Sequence, residues 1–305
     1  MQNHYCAKFL LDDHLFNIEI KLQIEKLLSK DVCRLIEGFE EKLPTSLLIK
    51  KEDNILREIK KAKKLHEQFL PKNVNLSEEL SFASFYKPAE QIGGDYFNIF
   101  KMNGEQIVIY VSDVSGHGID GAMLNIYLKT TIDFLLKSWQ EKGTELAPNK
   151  IVKQITKKFI SDKFDGDYMI CLFLAILDLN SYKLTYASAG FQTPMIVFTE
   201  DGFVEKKEIG GLPISTAIPL ELYDIKNSQF FLREGKTVLL FTDGIIEEER
   251  EGKAFGVSKI EDIAKNAGQK TPETVKQEIV DAFNHFTKGK ANTDDITILI
   301  VKRCR

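Results

Sequence analysis

Cysteine is scarce in this chain. Its 305 residues hold four, Cys6, Cys33, Cys171 and Cys304, with no CxxC pair and no histidine at zinc spacing. That argues against a disulfide framework and against a zinc site, and free thiols fit a reducing cytoplasm. Long apolar runs are missing too. The longest, Tyr168 to Leu177, falls far short of the ~18 residues that span a bilayer, so it reads as a buried strand and no membrane span is expected. A secretory leader is not expected either, because Asp12, Asp13 and His14 interrupt the first apolar stretch. Neither charge dominates: 41 Lys and Arg face 45 Asp and Glu, a net charge of -4. Without a basic stripe or a P-loop, nucleic-acid binding and nucleotide hydrolysis find no support. An anionic substrate would have to be drawn in locally.

What is present divides into three zones, with no internal repeat. The hydrophobic share of 43% is enough for a sizeable core. Residues 1–50 are rich in Leu, Ile, Lys and Glu, and Ile18, Leu22, Glu25, Leu28, Val32, Leu35, Ile36 and Phe39 roughly follow helical spacing up to Pro44. This zone is too small for a large core of its own and reads as a helical dimerisation or partner-binding region. Residues 51–76 hold a charged linker helix that ends at Pro71. Its Ile55, Ile59, Ala62, His66 and Phe69 alternate by four and three, which fits either a short dimeric seam or one amphipathic helix lying on its own domain.

Residues 77–305 change texture. Strand-like runs appear at 80–86, 96–101, 106–113, 168–178, 183–187, 195–198, 237–242 and 295–301, punctuated by Gly, Asn and Asp. Helical patterns interrupt them at 119–139 and 149–163, and a third follows Pro272, with Thr271 as its N-cap. The strands come in groups rather than in βαβ alternation, which predicts an antiparallel α+β layered fold.

Four acidic motifs sit where predicted strands meet turns: QIGGDYF (Asp95), VSDVSGHG (Asp113), FTDGI (Asp243) and NTDDIT (Asp294, Asp295). Asp beside Gly is common in turns, so any one motif alone reads as a turn. Together they pose an electrostatic problem. Two carboxylates ~4 Å apart at an effective dielectric of ~20 repel by about 4 kcal/mol. Convergence of four therefore requires shared protons or cations. Oxygen ligands without Cys or His select hard ions, Mg²⁺ or Mn²⁺, and two such ions can activate a water for attack on a phosphoryl group.

The order GGD, SDVSGHG, YASAG, FTDGIIE with FG downstream, then DDIT, resembles the bacterial serine phosphatases of the SpoIIE and RsbU type, within the metal-dependent (PPM, type-2C) superfamily. The resemblance covers roughly three quarters of the chain, and AKKLHEQFLPK resembles the helix that precedes the catalytic domain in that family. It implies an αββα sandwich with the metals at one end of two packed sheets. It implies that Asp95 and Asp113 bridge or flank two Mn²⁺ or Mg²⁺ ions, that the Val114 carbonyl is a ligand, and that Asp243 and Asp294 complete the second ion's shell. Strand alternation points Asp295 away from Asp294, so Asp294 is the expected ligand. Gly93, Gly94, Gly116, Gly118 and Gly244 match backbone turns near metal, and Glu247 matches an acidic position. Glu248, Glu249 and Glu251 read as a solvated face. His117 and Lys87 are weaker candidates for phosphate contact. One departure stands out: where the family often has Ala-Gly-His, this chain has Ala189-Gly190-Phe191, and Phe191 neither titrates nor donates a hydrogen bond.

The resemblance further implies a phosphoserine protein as substrate, typically a STAS-type anti-sigma antagonist, and control through residues 1–70, expected to form a homodimer. The alternative from another class is a pseudophosphatase that binds a partner without turnover, for which Phe191 is the main support.

Overall fold

The computed structural model describes residues 7–11, 14–18, 45–71, 77–116, 118–143 and 145–304. Residues 1–58 and 59–305 form two compact units. In the first, β1 (Ala7–Leu11) and β2 (His14–Ile18) pair as an antiparallel hairpin, with Phe9 opposite Phe16. This stretch was expected to be helical. Its sequence signal is two short apolar runs on either side of Asp12-Asp13, a local turn pattern that a helix-period reading passes over. Residues 19–44, which carry most of the helical spacing, lie outside the described residues. The helix α1 spans Thr45–Phe69, starting directly after Pro44, and crosses from the first unit into the second.

The second unit has two antiparallel sheets. The first contains β4 (Asp95–Met102), β5 (Gln106–Val114), β6 (Met169–Asp178), β7 (Lys183–Ala189) and β11 (Ser228–Phe231), in the order β11-β7-β6-β5-β4, with the two-residue β10 (Ile214–Ser215) paired to the start of β6. The second contains β3 (Leu80–Lys87), β8 (Met195–Thr199), β9 (Val204–Lys207), β12 (Lys236–Phe241) and β15 (Ile296–Arg303), in the order β3-β15-β12-β8-β9. Helices α2 (Ile119–Glu141) and α3 (Pro148–Ser161) cover the first sheet, and α5 (Val257–Lys265) and α6 (Pro272–Thr287) cover the second. The short α4 (Asp243–Ile246) and the hairpin β13 (Glu249–Arg250) and β14 (Lys253–Ala254) follow β12. The expected αββα sandwich is therefore the observed fold.

Side-chain alternation explains the four layers. Successive residues of a strand point to opposite faces. Ile107, Ile109 and Val111 of β5 enter the core between the sheets, while Val108 and Tyr110 meet the α2/α3 side. On β15, Leu299 and Val301 enter the inter-sheet core, while Ile296, Ile298 and Ile300 face α5 and α6. Strands covered on both faces need apolar residues at every position, which is why these segments read as unbroken apolar runs. The helices supply one apolar stripe each: Leu124, Leu128, Ile132 and Leu136 on α2, and Ile151, Ile155 and Phe159 on α3. Thr271 caps α6 as expected, its Oγ1 accepting from Thr274 N at 3.2 Å.

The second half of α1 lies on the same unit as the sheets. His66 is buried beside the rings of Tyr86 and Tyr96, at 6.1 and 6.4 Å between centroids. Tyr96 Oη donates to the Phe69 carbonyl at 2.6 Å, closing a helix end that would otherwise leave an acceptor unpaired. Of the two readings of the 55–69 spacing, the amphipathic helix on its own domain holds for His66 and Phe69; the side chain of Ile55 lies outside the described residues.

Leu299 sits in the sandwich interior and Phe134 is 68% exposed on α2. Leu299→Ala is expected to lower the unfolding free energy by ~2–5 kcal/mol. Phe134→Ala is expected to stay within ~0.5 kcal/mol of the parent. Urea titration followed by circular dichroism measures both.

Candidate metal centre

Antiparallel pairing puts the start of β4 and the end of β5 at the same end of the first sheet, where Asp95 pairs directly with Asp113. In the second sheet the end of β12 and the start of β15 meet at the same place, Phe241 opposite Ile298. Asp243 follows β12 and Asp294-Asp295 precede β15, so all four sequence motifs reach one end of the sandwich.

Two buried carboxylates join the sheets there. Asp95 Oδ2 accepts from Thr242 Oγ1 at 2.6 Å and from Thr297 Oγ1 at 2.8 Å, both hydroxyls belonging to the second sheet's side. Asp295 reaches the other way. Its Oδ1 accepts from Ala89 N at 2.7 Å, and its Oδ2 from Gly94 N at 2.5 Å and Asp95 N at 3.2 Å. Asp295 thus holds the backbone that presents Asp95. Asp294 is exposed, and its Oδ1 accepts from Asp295 N at 2.7 Å. The two neighbours point to different surroundings, as strand alternation predicted.

The glycines of the motifs are there because these groups come so close. A Cβ on Gly93 would collide with the Asp295 carboxylate, and one on Gly244 with the Asp295 carbonyl. A Cβ on Gly94 would lie 2.7 Å from the carbonyl oxygens of Val114 and Gly116. The Gly94 carbonyl in turn accepts from Val114 N at 3.1 Å and from Asn125 Nδ2 at 2.9 Å, which ties the Asp113-Val114 turn to α2.

The electrostatics are those of crowded carboxylates. Asp113 is pushed up to about 7 by burial and then by Asp243, Asp294, Asp295 and Glu247. Asp95 is raised by burial and by Asp113 and Asp295, partly offset by its two threonine donors. Asp243 is raised by burial and by Glu247. Burial without a cation favours the neutral acid, and each neighbouring carboxylate adds to that. Among the described residues no three acidic, histidine or cysteine side chains close on one point as they stand. What the structure brings together is a shared field of negative charge in an oxygen-only donor set, which fits a hard divalent cation. Asp113, Asp243 and Asp294, with Asp95 and the Val114 carbonyl beside them, are the groups available to hold it.

A shallow cleft opens at this end, lined by Asp113, Cys171, Phe191, Gln192, Thr193, Thr242 and Asp243. Cys171 pairs with Asp113 across β5 and β6, and burial pushes its thiol up to about 12. Phe191 is 2% exposed and packs on Phe173, with centroids 6.2 Å apart. Thr193 Oγ1 donates to the Phe241 carbonyl. Sequence reading missed Cys171, Gln192 and Thr193 as lining residues, since nothing in their spacing points to acid chemistry. The Glu248 expectation is corrected: it is fully buried, not on a solvated face, while Glu247 and Glu249 are exposed. Lys87 is half-buried, and its carbonyl lies 3.5 Å from Asn292 Nδ2. His117 lies outside the described residues.

Comparison with known proteins agrees with this fold. A family profile described as Stage II sporulation protein E (SpoIIE) matches residues 103–304. The phosphoserine phosphatase RsbU of Bacillus subtilis is 24% identical over 252 residues, covering 83% of this chain and 72% of RsbU. The phosphoserine phosphatase RsbP of the same organism is 22% identical, covering 81% of this chain and 58% of RsbP. Among solved structures, the SiaA-PP2C domain of Pseudomonas aeruginosa superposes with a TM-score of 0.69 at 21% identity, over 83% of this chain and 97% of that one. The phosphatase domain of SpoIIE from Bacillus subtilis, with a fragment of its regulatory domain, gives 0.61 at 19% identity, over 74% and 64%.

The raised carboxylates set the sign of a pH effect. Between the ordinary Asp value of 3.8 and about 7, the metal-free folded protein holds protons on Asp113 that the unfolded chain has lost. Stability from this group is present at low pH and disappears as pH rises through about 7. In EDTA, the unfolding midpoint is therefore expected to fall between about pH 4 and 7. Asp113→Asn should flatten that slope, and excess Mn²⁺ should reverse it. Scanning fluorimetry across pH checks all three.

Proposed function

The chain belongs to the SpoIIE family, the SpoIIE/RsbU-type branch of the PPM protein serine/threonine phosphatases, and on that premise we propose that it hydrolyses a phosphoserine ester on a small regulatory protein. The observation that carries this is the meeting of four aspartate motifs at one end of the sandwich, with Asp113 lifted to about 7 by burial and then by its acidic neighbours. A site that raises its own carboxylates has a strong affinity for cations built into it.

In this reading Asp95, Asp113, Asp243 and Asp294 and the Val114 carbonyl would hold two Mn²⁺ or Mg²⁺ ions. Bound there, the cations acidify a water and offset charge on the phosphoryl oxygens. Asp95 turns one oxygen to Thr242 and Thr297, leaving the other outside that pair of bonds. Asp295 fixes the Gly93-Gly94-Asp95 backbone, so the carboxylates do not drift as charge changes at the centre. The apolar Phe191 and the raised Cys171 thiol form a cleft wall that adds no further negative charge against a phosphate.

For the substrate we propose a phosphoserine protein of the STAS anti-sigma antagonist type, met in the cytoplasm. Support comes from family membership and from the two Bacillus relatives, both phosphoserine phosphatases by name. Among the described residues no helix is long and apolar enough to cross a membrane. Residues 1–50 are proposed as a dimerisation or partner-binding region and 51–76 as a linker, with 77–305 as the catalytic domain. The burial of His66 and the Tyr96–Phe69 bond, one residue from Asp95, support a link between α1 and the site. Phe191 keeps one other reading in view, a partner-binding protein without turnover.

The test is a Mn²⁺-dependent assay on a phosphoserine peptide. Asp113→Asn should cut turnover by more than about 100-fold, beyond the loss typical of groups behind the ligands. Asp165→Asn, on an exposed turn, should leave it unchanged. No Mn²⁺-dependent turnover in the parent would favour the binding protein. For the linker, a chain starting at Ser77 should differ from the full chain in activity or metal dependence; equality in both would remove the regulatory role.

A further inference from the structure

The loop that presents Asp294 has no regular structure of its own. It runs from Ala291 to Asp295 between α6 and β15. No ladder hydrogen bonds fix it, so side chains must. One of them is unusual. Some ion pairs here, such as Lys226–Asp224 and Lys288–Glu251, are open to water, with partners 71–81% exposed. Glu248 is 0% exposed. A buried carboxylate is tolerated only where its oxygens are matched, because removing it from water costs several kcal/mol.

One oxygen is hydrogen-bonded to this loop, and the other is paired in charge with Arg250 without a hydrogen bond of its own. Glu248 Oε2 accepts from Thr293 N at 2.8 Å and from Thr293 Oγ1 at 2.9 Å. Glu248 Oε1 forms an ion pair with Arg250 Nη1 at 2.6 Å, and Arg250 Nη2 donates to the Ala291 carbonyl at 3.2 Å. Asn292 Nδ2 closes the loop by donating to the Asp294 carbonyl at 2.6 Å. The base of this clamp is itself anchored. The Glu248 carbonyl accepts from Phe255 N at 2.9 Å, and Phe255 is buried between the rings of Phe283 and Phe286.

We propose that Glu248, with Arg250, is a positioning residue for metal binding: it holds Thr293 and Ala291 so that Asp294 is presented at a fixed place. This rests on the reading of Asp294 as a ligand. Glu248 is fully buried, with Oε2 held by Thr293 and Oε1 facing the Arg250 guanidinium, so it acts through the loop rather than as a ligand. It couples the segment after Asp243 to the segment carrying Asp294, so two acidic motifs distant in sequence are set by one buried carboxylate.

Direct Mn²⁺ titration of the full chain by isothermal calorimetry tests this, with activity measured against Mn²⁺ concentration in parallel. Glu248→Ala is expected to weaken Mn²⁺ binding by about tenfold or more. The Mn²⁺ needed for half-maximal activity should rise by the same factor, and kcat should largely recover at saturating Mn²⁺. Glu248→Gln is isosteric, restores one acceptor for Thr293 and should recover part of the affinity; it also serves if the alanine variant does not fold. A merely structural role would lower the unfolding midpoint in EDTA without moving the Mn²⁺ affinity of the folded protein. Asp294→Asn separates the two readings. Weak binding in Asp294→Asn with parent-like binding in the folded Glu248 variants would overturn the positioning role. Parent-like binding in Asp294→Asn would overturn the ligand assignment on which it rests.

Discussion

Two buried aspartates pointing in opposite directions join the sheets of this sandwich. Asp95, from the first sheet, takes hydroxyl donors from Thr242 and Thr297; Asp295, from the second, takes the amides of Ala89, Gly94 and Asp95. Apolar packing alone would let two sheets slide, because it has no direction. Directional bonds from a buried charge fix the register at this end. The glycines of the motifs follow from that constraint, since a side chain at Gly93 or Gly244 would occupy the space of Asp295 itself.

The same arrangement makes the end of the sandwich electrostatically unbalanced. Asp95, Asp113 and Asp243 have been brought out of water and placed near others of their sign, so their neutral acids are favoured until positive charge arrives. Burial, strand pairing and loop clamps therefore work in sequence. The core sets the strands, the strand ends set the backbone of Asp113 and Asp243, and hydrogen bonds accepted by Asp295 and Glu248 set the rest.

Much of this was legible in the chain, for physical reasons. β5, β6, β12 and β15 are covered on both faces, so their sequences are continuous apolar runs that any window detects. The strands β9, β10, β11, β13 and β14 escaped notice because they are two to four residues long and take their stability from neighbours. The β1–β2 hairpin was hidden under a helix-like period. Asp294 against Asp295 could be separated because alternation is a local rule. Glu248 could not be read, because its burial depends on Thr293, 45 residues away. In a run of five charged residues, composition says surface, and only the fold says otherwise. His66 was half-legible: its spacing gave a buried stripe, and the domain beneath it decided what covered that stripe.

The cleft wall has a consequence for proton traffic. Its members other than the two aspartates are Phe191, Cys171, Gln192, Thr193 and Thr242. None is an acid or base near neutrality, since the thiol is held at about 12 and the rest do not titrate there. A bell-shaped rate profile needs one group that must lose a proton and a second that must keep one. Among the described lining residues only Asp113, raised to about 7, can hold or release a proton near neutrality. Acid and base limbs of a rate profile would then both trace to the carboxyl cluster, and the opposite wall would leave them unchanged.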